Sequence, residues 1–232
     1  MPRFVCISDT HCTFPELPDG DVLIHAGDAC IIGDGREMGQ FVKWFAKQPH
    51  KEKIYVPGNH DRWAWDHRDE TIHTCRDFGI TMLVDSRVYL SENVKSIGIS
   101  VFGVPWTQAF GWTRAYMYDA CDEQKHLGPL GYSGGNIDVL VTHGPPAGIF
   151  DCVRGIPKGS PVLLRHVQML KPKYHVFGHI HDGHDGVREE TWADGRTTVF
   201  ANVARTVVLN GYVKLDTPVF TFDLPIDTMG GL

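Results

Sequence analysis

Asp9 and His11, Asp28, Asn59 with His60, His143, and His179 with His181 each stand where a short apolar run ends. Arg3–Ser8 runs into Asp9-Thr10-His11, Val22–Ala26 into Gly27-Asp28, and Ile54–Pro57 into Gly58-Asn59-His60-Asp61. Asp138–Thr142 runs into His143, and His175–Phe177 into Gly178-His179-Ile180-His181. Carboxylates, an amide oxygen and imidazoles in one set suit divalent first-row metals such as Mn, Fe or Zn better than Ca or Mg. Asp9, His11, Asp28, Asn59, His143, His179 and His181 are too many ligands for one tetrahedral ion. They suit two ions sharing a bridging carboxylate, with Mn²⁺ favoured. Paired ions about 3.5–4 Å apart clamp the attacking and leaving oxygens of an in-line displacement, and a hydroxide held between them is a nucleophile at neutral pH. His60 is one residue too many for that shell. It is the candidate for steadying phosphoryl oxygens or protonating the leaving group.

The elements that must position these residues follow from the same runs. Short, β-branched apolar runs read as buried strands, and in open α/β sheets functional groups gather at the carboxyl ends of strands. Met38, Phe41, Val42 and Phe45 at helical spacing predict a helix over 36–47, and 66–78 reads as a second, weaker one closed by Gly79. Ser160-Pro161 followed by Leu163, Leu164, Val167 and Leu170 predicts a third. Strand-like stretches occupy 81–84, 87–91, 97–103, 187–192, 197–202, 206–209 and 218–223. Strand and helix alternate in the early half while the last 45 residues are nearly all strand, so two packed sheets flanked by helices are expected in a single domain over 1–232. Residues 104–136, with Pro105, Trp106, Phe110, Trp112, Tyr116 and Tyr118, form either a wall over a substrate pocket or a packed satellite cluster.

Composition narrows the classes. Hydrophobic content of 42% and charged content of 22% are ordinary for a soluble globular chain. A net charge of −6 argues against a long nucleic-acid footprint but not against a small phosphate ester. Cysteines at 6, 12, 30, 75, 121 and 152 form no metal-type pair and read as small buried hydrophobes in a reducing compartment. With a first strand at Arg3 and no apolar run of membrane length, a cytoplasmic location without membrane contact is expected.

The motifs Asp9-x-His11, Gly27-Asp28, Gly58-Asn59-His60-Asp61, His143-Gly144 and Gly178-His179-x-His181, in this order, resemble those of the calcineurin-like metallophosphoesterases. The resemblance implies a four-layer αββα sandwich of two mixed β-sheets with a dinuclear site at the strand ends. One metal would take Asp9, His11, Asp28 and His181, and the other Asp28, Asn59, His143 and His179. Asp28 then bridges, and His60 matches the family's phosphate-contacting histidine. Val22–Asp28, Pro105-Trp106, Thr142–Pro146, His175–His181 and the tail from Ala201-Asn202 to Leu224 resemble the small metallophosphoesterase-domain-containing branch. That branch implies hydrolysis of small phosphodiesters, cyclic nucleotides included. The sequence lacks the G-D-x-x-D-R-G and G-N-H-E patterns of the protein Ser/Thr phosphatases, which argues against phosphoprotein substrates. A monoesterase or nucleotidase of the same fold, a nuclease, and a weakly active metal-binding scaffold are the rivals.

Three neighbours have open roles. Asp61 either orients a histidine or caps a turn, Arg62 either touches phosphate or reaches solvent, and His25 serves packing or supports a ligand. Trp63 and Trp65 line the pocket mouth or pack beneath the following helix, and His184 with Asp185 reads as a solvated turn.

Overall fold

Phe4 and Cys6 point to one side of the first strand and Val5 to the other, and both sides are buried. This two-residue alternation with apolar residues on both faces is what a central strand between two layers requires. The computed structural model describes residues 1–91, 98–109, 115–183, 186–209, 212–215 and 218–225. Phe110, Trp112, His184, Asp185 and the first residue of the strand expected at 97–103 lie outside them.

The first half runs β1 (Arg3–Ile7), β2 (Val22–His25), α1 (Gly35–Ala46), β3 (Glu52–Tyr55), α2 (Arg62–Asp66), α3 (Arg68–Asp77), β4 (Thr81–Met82) and β5 (Ser86–Leu90). Then come β6 (Ile99–Val104), β7 (Thr107–Gln108), β8 (Met117–Tyr118), α4 (Glu123–Leu127), β9 (Val139–Thr142), β10 (Cys152–Val153) and β11 (Ile156–Pro157). The chain continues through α5 (Pro161–Leu170), β12 (Tyr174–Phe177), β13 (Val187–Thr191), β14 (Thr197–Asn202), β15 (Thr206–Leu209), β16 (Tyr212–Leu215) and β17 (Phe220–Asp223). One sheet has the order β17-β1-β2-β3-β4 and the other β13-β14-β12-β9-β6-β5. Inner strands are parallel, while β17, β13 and β5 pair antiparallel at the edges.

Three apolar layers hold this together. Phe4, Cys6, Ile24, Ile54 and Val56 of the first sheet meet Val101, Val139, Val141 and Val176 of the second. Val5, Leu23 and Tyr55 pack outward on Met38, Phe41, Val42 and Phe45 of α1 and Cys75 of α3. Leu140, Phe177 and Phe200 pack outward on Leu127 of α4 and Val162, Leu163 and Val167 of α5. The αββα sandwich of two mixed sheets is therefore the observed fold.

Caps behave as the sequence implies at two helices. Ser160 Oγ accepts from the Leu163 N–H at 2.8 Å, and Asp34 Oδ1 accepts from the Glu37 N–H at 2.8 Å. The weak helix expected at 66–78 is α3, and the short α2 that the sequence did not suggest precedes it; the two meet at His67, whose φ of −126° and ψ of 47° are not helical. The His67 ring stacks on Trp63 at 3.8 Å, which anchors the break. Not all cysteines are buried, for Cys121 and Cys152 are exposed.

Candidate metal centre

The ends of β1, β2 and β3 in one sheet and of β9 and β12 in the other converge on the same edge of the sandwich. Ligand atoms of Asp9, His11 and His181 lie within 4.8 Å of one another, as do those of Asp28, His143 and His179. Asn59 Oδ1 sits 2.9 Å from His143 Nε2, which adds it to the second group. The residues expected as ligands thus fall into two clusters, with Asp28 grouped with His143 and His179 and not with Asp9, His11 and His181. Asp28 Oδ1 also accepts the His60 N–H at 2.8 Å and lies 3.3 Å from His143 Nε2.

One segment orients three imidazoles. His143 Nδ1 is 2.9 Å from the Ala26 carbonyl, His11 Nδ1 is 2.8 Å from that of Cys30, and His60 Nδ1 is 2.6 Å from that of Ile31. A carbonyl only accepts, so each ring carries its proton on Nδ1 and works through Nε2. The loop that supplies these carbonyls is itself braced. Asp61, fully buried, accepts the N–H groups of Asp28 and Gly58 with Oδ2 (2.9 and 2.8 Å) and of Cys30 with Oδ1 (3.0 Å). Glu37 Oε2 accepts those of Ile31, Ile32 and Gly33 at 2.8–3.0 Å. Neither expectation for Asp61 is met, since it makes no side-chain cap to α2 and ties two strand ends together instead. Asp61→Ala would orphan three donors at about 1–3 kcal/mol each. A thermal melt should show a midpoint lowered by roughly 2–4 °C per kcal/mol lost in a domain of this size. Asp61→Asn, which keeps one accepting oxygen, should fall between the two.

Backbone strain concentrates at the same place. Asp9, His11, Asp28 and His179 have φ of 53°, 42°, 57° and 67°. Such conformations cost of order 1 kcal/mol or more each and persist only where the surroundings over-determine them. Here they do: the Asp9 N–H donates to the Gly27 carbonyl at 2.8 Å and the His11 N–H to that of Asp28 at 3.1 Å. The His179 N–H donates to Asp9 Oδ2 at 2.9 Å, crossing from one sheet to the other. Gly178 permits that crossing, because a Cβ there would collide with Asp9 Oδ2 and Ser8.

Charge then decides what the site can hold. Asp9 and Asp28 are 0% and 2% exposed, and among the described residues their ion-pair partners are imidazoles, His181 at 3.2 Å and His143 at 3.3 Å. Burial would raise both carboxyls, but the surrounding imidazoles outweigh it and hold them below the ordinary carboxylate range. Burial disfavours the protonated ring of His143, yet Asp28 and Asp9 push it up to about 9. His179 is carried down to about 3 by burial and by the charge of His143. Buried anions need cationic partners with good geometry. Two carboxylates ringed by Nε2 atoms and an amide oxygen fit divalent cations.

The neighbours sort clearly. Arg62 Nε pairs with Asp66 Oδ2 at 3.1 Å on an exposed helix face. His25 packs edge-on against Phe41 at 5.0 Å and reaches Thr10 Oγ1 at 3.0 Å. Trp65 meets Trp106 and Tyr116 at 5.6 and 5.2 Å, and Tyr116 Oη donates to the Ala64 carbonyl at 2.7 Å. The described part of 104–136 is therefore chiefly a packed aromatic cluster, but its leading strand reaches the centre. Gln108 and Ala109 join Lys158, His179 and Ile180 in lining a small cleft. Glu37 and Lys158 were not singled out by the sequence, though Asp34-x-x-Glu37 is a capping-box spacing and could have drawn attention to Glu37.

The sequence matches the calcineurin-like phosphoesterase family over residues 2–183. It is 38% identical over 221 residues to UPF0046 protein C25E10.12 of Caenorhabditis elegans, covering 87% of this chain and 74% of that one. It is 35% identical over 249 residues to human metallophosphoesterase domain-containing protein 1, covering 96% and 71%. In fold it resembles phosphopantetheinyl hydrolase of Mycobacterium tuberculosis, with a TM-score of 0.58, 18% identity and coverage of 87% and 88%. TT1561 of Thermus thermophilus gives 0.57, 14%, 88% and 91%. Given the family match over most of its length and the relatives it shares so much sequence with, this chain belongs to the calcineurin-like metallophosphoesterases, a family of divalent-metal-dependent phosphoesterases.

Proposed function

We propose that the protein hydrolyses small phosphodiesters, cyclic nucleotides among them, at a centre that holds one cation on Asp9, His11, Asp28 and His181 and another on Asp28, Asn59, His143 and His179. The convergence of those side chains in two clusters, with the His60 ring beside His11 at 4.9 Å, carries this reading. Two divalent cations, Mn²⁺ first among the candidates and Fe or Zn next, would when bound polarise the phosphoryl oxygens and acidify the attacking water. Asp28 holds the two halves in register and fixes the His60 backbone through its Oδ1. His60, with Nδ1–H anchored on the Ile31 carbonyl, donates from Nε2 when the ring is protonated, either to a phosphoryl oxygen or to the departing ester oxygen. Water gives up one proton as its oxygen adds to phosphorus, the P–O ester bond breaks, and the leaving oxygen takes up one proton, so the diester becomes a monoester and an alcohol. The pairing of Arg62 with Asp66 favours a diester, which brings one negative charge rather than a monoester's two.

Lys158 supports a second reading. It lines the cleft beside His179 and would meet a monoester's extra charge, as in a nucleotidase. The purified apo-protein, titrated with Mn²⁺, should hydrolyse bis(p-nitrophenyl) phosphate faster than p-nitrophenyl phosphate, and only with metal. The reverse preference would establish the monoesterase, and no turnover with two ions bound would establish the scaffold. Among the described residues no helix is long and apolar enough to cross a membrane.

A further inference from the structure

Each sheet carries a fully buried histidine, one strand away from a candidate ligand and hydrogen-bonded to a threonine next to that ligand. In the first sheet His25 of β2 lies 3.0 Å by Nε2 from Oγ1 of Thr10, which stands between Asp9 and His11. In the second sheet His175 of β12 lies 2.9 Å by Nε2 from Oγ1 of Thr142, the residue before His143.

We infer that His25–Thr10 and His175–Thr142 are paired positioning struts, each setting the geometry of one half of the metal centre. The inference rests on the dinuclear reading above. The direction of each bond follows from the third partner. Thr142 Oγ1 donates to the Gly144 carbonyl at 2.6 Å, so it must accept from His175 Nε2–H. The two bonds in series close the turn that carries His143. The Gly27 N–H donates to His25 Nδ1 at 3.3 Å, so the His25 proton is on Nε2 and goes to Thr10 Oγ1. That bond spans the tips of β2 and β1 where Asp9 and His11 hold left-handed backbone. Burial lowers both histidines to about 3, which keeps each a neutral donor with a fixed tautomer.

Packing alone does not account for an imidazole here. His25 sits among Phe41, Phe45 and Tyr55, and His175 beside Phe177 and Phe200. An apolar ring would fill either place without desolvating a polar one. His175 Nδ1 has no hydrogen-bond partner among the described residues, so that ring is retained for what Nε2 does. The two struts also serve different clusters. Thr10 adjoins the Asp9, His11 and His181 group, and Thr142 the Asp28, His143 and His179 group.

The test is calorimetric titration of Mn²⁺ into metal-free wild type, Thr10→Val, Thr142→Val and the two Thr→Ser variants. Each runs well below its own melting temperature. Wild type should bind two ions, and each valine variant should weaken one of the two events by about 10- to 100-fold, the usual effect of losing a group that orients a ligand. Serine, which keeps the hydroxyl, should restore affinity. Unchanged binding in both valine variants overturns the strut proposal, as does a serine variant that loses as much as valine. A wild type that binds no Mn²⁺ overturns the dinuclear reading and the struts with it.

Discussion

Asp28→Ala should abolish turnover and leave less than two equivalents of Mn²⁺ on the protein after desalting, measured by elemental analysis. The reason is that this carboxylate does three things from one buried position. It supplies the negative charge of the Asp28, His143 and His179 cluster, it stands 3.3 Å from His143 Nε2, and it accepts the His60 N–H. Removing it leaves that cluster with imidazoles and the Asn59 amide, which are neutral ligands competing for a cation against water. It also frees the His60 backbone. Asp28→Asn separates these contributions, because its amide oxygen can still accept from His60 while the charge is gone. If charge is what holds the second cation, the asparagine variant should lose metal as the alanine variant does while melting close to wild type. Two ions retained in both variants would remove Asp28 from the coordination shell.

The strand ends were legible because the central parallel strands are buried on both faces. Each therefore reads as a largely apolar run with an abrupt polar end. Arg3–Ile7, Val22–His25, Val139–Thr142 and Tyr174–Phe177 show this, and the candidate ligands follow directly. The bracing role of Asp61 was not legible because its partners, the N–H groups of Asp28, Cys30 and Gly58, come from two strand ends that only the folded sheet brings together. Glu37 escaped for a related reason. In a capping box its carboxylate would return to the helix start, but here it reaches past it to residues 31–33. The break at His67 depends on a Trp63 stack that no period reveals, and ladders as short as β7 with β8 or β10 with β11 are too brief to show alternation. The candidate ligands are thus marked locally in the sequence, whereas their orientation is carried by residues distant in it.

His60→Ala should reduce kcat by roughly 10²- to 10⁴-fold, the range for removal of a group that moves a proton in the transition state. Metal content should stay at two equivalents. His60 lies outside both clusters, is only half-buried, and is held by Ile31 and Asp28. Loss of metal in this variant would place it inside the shell. The two roles open to Nε2 separate by leaving group. A p-nitrophenolate departs as a weakly basic anion and needs no proton, whereas an alkoxide does. If His60 protonates the leaving oxygen, the alanine variant should lose little on bis(p-nitrophenyl) phosphate and far more on an alkyl diester or a cyclic nucleotide. If Nε2 instead binds a phosphoryl oxygen, the loss should be similar on all of them, since that oxygen gathers charge whichever group leaves. Rescue of the alkyl ester reaction by added imidazole, with no gain on the p-nitrophenyl ester, would fix the proton on His60.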